Sequence, residues 1–102
     1  MTSNTKITKL QKEILARDIA DLQHTMFSVE FKHNPLFGIT ICIIVPFKGA
    51  NIKYVTTSVA SPDEKKFRKS VGKFHAIDRF LNGNYVVIPV NMQVGDEWDY
   101  MK

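Results

Sequence analysis

SPDEKKFRKSVGKFHAIDRFLNG, residues 61–83, reads as a helix set between two strand-like stretches, and this decides for a mixed fold. Ser61 takes the N-cap place, Pro62 the first helical position, and Glu64 closes a capping box. Asp63 and Glu64 suit the positive end of the helix dipole, and Asn82 with Gly83 supplies the stop. At about 100° per residue, Phe67, Val71, Phe74, Ile77 and Leu81 share one side, which is predicted to lie on a sheet. The opposite side carries Lys65, Arg68, Lys69, Gly72, Ala76 and Arg79, with Lys73 beside them.

Gly72 is the odd residue of that side. A glycine in an exposed helix costs about 1 kcal/mol relative to alanine, whereas a small residue lets a backbone or a phosphate come close. The functional reading is a contact surface for a polyanion or an acidic protein. The structural reading is a solvated face, or one on which another segment of the same chain packs. The acidic stretch DEWDY, residues 96–100, gives the second reading a concrete form, since it would cover the basic side in cis.

Upstream, IKYVTTSVA (52–60) reads as a strand with a more polar face through Thr56 and Ser58. ITICIIVPF (39–47) is apolar on both faces and suits a central strand, with Pro46 marking its exit. FSVEFK (27–32) alternates strictly, with Phe27, Val29 and Phe31 on one face. The turns HNPLFG and KGAN connect these three as an antiparallel meander. A first helix is predicted over residues 8–24, with Thr8 and Gln11 as a capping box and Ile7, Leu10, Ile14, Leu15, Ile19, Leu22 and Met26 as its apolar side. Downstream, YVVIPV (85–90) makes a fourth strand, and residues 91–102 form a terminal strand or a docked acidic, aromatic tail. The expected fold is therefore α+β, an antiparallel sheet of about four strands with two helices packed on it, in the order α-β-β-β-α-β.

At 102 residues the chain fits one domain spanning 1–102. Its 44% hydrophobic and 24% charged content is near the globular average and argues against a disordered tail or a membrane protein. Cys42 is the only cysteine, so a disulfide framework is excluded, and inside its apolar run it reads as a small core residue. No apolar segment precedes the first helix as a secretory signal would, and the apolar run 39–47 is too short to span a bilayer, so a cytoplasmic location is expected. The net charge of +4 is unevenly spread. Residues 61–83 carry Lys65, Lys66, Arg68, Lys69, Lys73 and Arg79 against Asp63, Glu64 and Asp78, while residues 91–102 set Asp96, Glu97 and Asp99 against Lys102.

Catalytic and metal-binding patterns are missing from the sequence. His24, His33 and His75 are scattered, with no HxxxH spacing and no Cys/His pairing, so no metal or other cofactor is expected. There is no GxSxG nucleophile elbow and no glycine-rich phosphate loop after a strand. The pairs Asp18/Asp21 and Asp96/Asp99 sit at surface spacings rather than as an acid and its base. The expectation is a protein without enzymatic activity.

Two resemblances add to this. The order α-β-β-β-α over residues 8–82, with KHNPLF between the first two strands and KKFRK opening the second helix, resembles the double-stranded-RNA-binding domain. That resemblance implies contact of the loop and of the second helix's start with RNA backbone. The chain departs from that family in its Phe67, Phe74 and Phe80, where the family is alanine-rich, and in the added strand YVVIPV. The segment SPDEKKFRKSVGKFHAIDRFLNG is also similar to one carried by small early proteins of tailed bacteriophages. This second resemblance implies stoichiometric inhibition of a host nucleic-acid-processing or defence complex, in the manner of anti-CRISPR proteins.

The functional expectation is a binding protein that docks on a host protein or nucleoprotein complex, with no membrane involved. Lys65, Arg68, Lys69, Lys73 and Arg79 would supply charge, and Gly72 and Ala76 the close approach. Direct binding of double-stranded RNA or DNA is the alternative. A homodimer packing its second helices across Gly72 and Ala76 is a third.

Overall fold

A computed structural model describes residues 8–60 and 68–95. Its elements are α1 (Lys9–Thr25), β1 (Ser28–Asn34), β2 (Ile39–Val45), β3 (Ile52–Val59), α2 (Lys69–Leu81) and β4 (Val86–Pro89). This is the α+β order expected from the sequence. The four strands form one antiparallel sheet in the order β1-β2-β3-β4.

The first helix starts as its sequence requires. The Thr8 hydroxyl accepts from the Gln11 N–H at 3.1 Å, and the Gln11 side-chain oxygen accepts from the Thr8 N–H at 2.8 Å, which satisfies two of the donors a helix start leaves free. Among the described residues of its apolar side only Leu15 and Leu22 are buried, with Ile19 and Met26 packed beside them. Leu10 stays exposed.

The second helix does not run on from Pro62. Arg68 is extended (φ −123°, ψ 116°) and serves as the N-cap without a side-chain bond, so the helix opens at Lys69. The cap expected at Ser61 and Glu64 lies outside the described residues. The other end matches its sequence signal. The Gly83 N–H donates to the Phe80 carbonyl and the Asn84 N–H to the Arg79 carbonyl, the paired bonds of a Schellman stop, with Gly83 at φ +79° where an L side chain is disfavoured.

Strand pairing divides the side chains between two faces. Val29 and Phe31 on β1, Cys42 and Ile44 on β2 and Tyr54 on β3 join Leu15, Leu22, Val71, Ala76 and Ile77 in the core, so both helices lie on this one face. Phe27 falls outside β1 and is exposed, because the strand begins one residue later than its alternation suggested. Asn34 ends β1 in a tight turn, where its side-chain oxygen accepts from the N–H groups of Leu36 and Phe37. Beyond β4 the chain turns onto the face away from the helices. There the Lys53 ammonium donates to the Met92 carbonyl, and the register pairs Lys53 with Ile88 on that face.

Candidate interaction surface on the second helix

The site suggested by sequence centres on α2, and its two small residues are placed otherwise than expected. Gly72 and Ala76 face the sheet and are buried, Ala76 completely. A Cβ at Gly72 would collide with the Thr40 hydroxyl and stand 2.8 Å from the Thr40 Cβ. One turn on, the Thr56 hydroxyl donates to the Ala76 carbonyl at 2.9 Å. Thr40 pairs with Ser58, and Cys42 with Thr56, across the strands, so α2 rests on a hydroxyl-bearing patch rather than on large aliphatic side chains. The close approach that a glycine permits is used within the chain. A homodimer built across Gly72 and Ala76, or a partner seated on them, is therefore corrected by their burial.

The reason lies in how many neighbours α2 has. It packs on β2 and β3 and also against α1, so its buried arc is wider than one stripe of large residues. Val71 and Ile77 are buried and Phe74 packs at the core edge, as their apolar side implied, but Leu81 is exposed and Phe80, which was not placed on that side, packs at the core edge. The small pair fills the closest line of contact between the helix and the sheet. Short polar side chains on the helix-facing sides of β2 and β3, opposite a Gly/Ala pair at i,i+4, were the signal that would have located it.

The cations separate into two places. Lys69 is exposed, and Lys73 lays its stem along the sheet edge, with its ammonium 5.2 Å from the centre of the Phe31 ring. Both lie close enough to His33 on β1 to act on it. Burial first, and then the positive charges of Lys69 and Lys73, push the His33 imidazole down from 6.5 to about 4, so it is neutral at pH 7. Its Nδ1 lies 3.0 Å from the Thr40 hydroxyl, and Thr40 is the residue beneath Gly72. Arg68 stands exposed just before the helix, on the same end. Arg79 is ten residues beyond Lys69, about 15 Å along the axis at 1.5 Å per residue, and lines a separate cleft with Thr56, Thr57 and Asn84. Among the described residues none of these four cations forms an ion pair, and the one pair present is Arg17 with Asp18. Lys65 lies outside the described residues.

The chemistry available elsewhere is limited. Cys42 is fully buried, and burial, against a weaker opposing bond from Thr56, pushes its thiol up to about 12, so no thiolate forms near neutral pH. Among the described residues no group of three or more His, Cys, Asp or Glu side chains is placed to hold a metal ion. No helix among them is long and apolar enough to cross a membrane. The described part of the acidic tail leaves on the face opposite α2, where Lys53 holds Met92; residues 96–102, with Trp98, lie outside the described residues. No protein-family model, no curated protein and no solved structure matches this chain.

Proposed function

We propose that the chain is a non-enzymatic binding protein that engages an anionic surface of its partner with the corner formed by the start of α2 and the end of β1. The observation that carries this reading is the placement of Lys69 and Lys73 together beside the end of β1, where both act on His33, while neither lysine forms an ion pair among the described residues. Like charges are costly to bring together, and an anion placed between them lowers that cost. Arg68 widens the same corner. The partner proposed is a host nucleic-acid-processing or defence complex, inhibited stoichiometrically by a bacteriophage accessory protein, in keeping with the resemblance of residues 61–83. Affinity capture from bacterial lysate tests it: a stoichiometric complex retained by the wild type and lost by Lys69→Glu with Lys73→Glu is expected. A complex that survives this double reversal places the interface elsewhere.

One observation favours a second reading, direct binding of a nucleic-acid backbone. The end of β1, which leads into the β1–β2 turn, lies beside the start of α2 at this corner, and the RNA-binding domain resembled by this order of elements contacts phosphates through that loop and the start of its second helix. A mobility shift with generic duplex RNA and DNA separates the two readings. If phosphates are the ligand, affinity falls with salt at a slope of about −2 to −3 in log units, one per phosphate neutralised. Lack of any shift at low salt refers the corner to a protein.

A further inference from the structure

The sheet has an unfinished edge. β3 runs to Val59, but β4 pairs only with Ile52 to Val55. The Val90 N–H donates to the Asn51 carbonyl, so alternation turns the backbone groups of residues 53, 55, 57 and 59 toward the β4 side. Past Val55, the N–H and C=O of Thr57 and Val59 therefore point outward with no strand beside them among the described residues. Both side chains are exposed, Val59 at 63%.

The two outer strands are protected in the ways that discourage strand addition. β1 carries Glu30 and Lys32 along its length. β4 is four residues long, and the same alternation turns Pro89, which has no N–H, toward solvent. The Thr57–Val59 edge has neither feature and is made of β-formers. Beside it opens a cleft of about 340 Å³ lined by Thr57, Arg79, Asn84, Tyr85 and Val86. One wall is firm, because Tyr85 packs on Tyr54 and Phe80 with ring centres 4.8 and 5.2 Å away. Arg79 supplies the one charge in the cleft, and it has no ion pair among the described residues.

We infer that this notch receives an extended peptide segment of a partner protein, added as a short strand to β3 in line with β4, with a carboxylate of that segment on Arg79. Main-chain bonds to Thr57 and Val59 give the binding its direction. The helices lie on the face that holds Thr56 and Ser58, so the acidic residue of the guest stands opposite one of these two. An acidic, β-branched peptide is thus the fitting partner, and the surface is distinct from the Lys69/Lys73 corner.

The test is a titration of the isotope-labelled full chain with a capped Thr-Val-Glu-Val-Thr peptide, followed by amide NMR. Saturable shifts at the Thr57 and Val59 amides are expected. The same peptide N-methylated at the amides that face β3 should lose binding, a control that leaves the protein untouched. Replacing its glutamate by lysine, or Arg79→Glu in the protein, should weaken binding at least tenfold, while Lys69→Glu with Lys73→Glu leaves it unchanged. Shifts centred on Lys69 and Lys73, equal binding of the N-methylated peptide, or no saturable shift at millimolar peptide would each overturn the inference.

Discussion

Replacing Gly72 by alanine tests the seating of α2 by the sign of its effect. On a solvent-facing helix the change is stabilising by up to about 1 kcal/mol, because alanine is the better helix former. In this structure the new methyl would overlap the Thr40 hydroxyl and stand 2.8 Å from the Thr40 Cβ, which is backbone-anchored and has little room to move. Overpacking of this kind costs about 1–3 kcal/mol. Turning the Thr40 hydroxyl aside also breaks its contact with His33, worth about 1 kcal/mol. Set against the propensity gain, the net expectation is a loss of about 1–3 kcal/mol. For a chain of this size that lowers Tm by about 5–20 °C. Urea denaturation with the m-value held common reports the change directly. Thr40→Ala in the same molecule removes the hydroxyl and one methyl from the point of collision, so the double variant should be less destabilised than the sum of the singles by at least about 0.5 kcal/mol. A Gly72→Ala protein that melts higher than the wild type would refute the seating of α2 described above.

Three further outcomes follow from the same geometry. His33 takes its proton near pH 4 when folded and near 6.5 when unfolded; between these values the unfolded chain binds more protons, so stability should fall as pH drops from 6.5 toward 4. The loss is about 1–2 kcal/mol after allowing for the partial exposure of the ring, and urea midpoints across that range should flatten in His33→Gln. Cys42, buried and protonated, should resist thiol-specific labelling at neutral pH until the chain is denatured, and native labelling within minutes would contradict its burial. Gly83→Ala meets open space but a positive φ, so it should cost about 1 kcal/mol while leaving the corner at Lys69 and Lys73 intact, as a mobility-shift or capture assay would show.

The order of elements was legible because each depends on a local signal. The Thr8/Gln11 box starts α1, Asn82 and Gly83 stop α2, and the alternation of Val29 and Phe31 turned the right face of β1 inward. The site was legible only in part. The exposure of Arg68, just ahead of α2, and of Lys69 and Arg79 on it was legible. Their division into two places was not, because it depends on which strand each end of the helix overlies. Gly72 and Ala76 were misplaced for a related reason. A helical wheel weighs side chains by size and polarity, so it turns the largest apolar residues inward, whereas a helix can approach a sheet most closely along its smallest residues. His33 carried no sequence signal at all. Its neighbours, Lys69 and Lys73, are far away along the chain and meet it only because α2 packs on β2, the strand next to β1.

The hydroxyl patch beneath α2 also works as a ward works on a key. Sliding the helix by one turn, about 5.4 Å, would carry Phe80 onto the place over Thr56 that Ala76 now fills, and no phenyl ring fits there. The helix is thereby kept from travelling along the sheet. The corner at one of its ends and the notch at the other are consequently fixed on a common ruler, and two guests bound at once would be held at a constant spacing whatever their own flexibility.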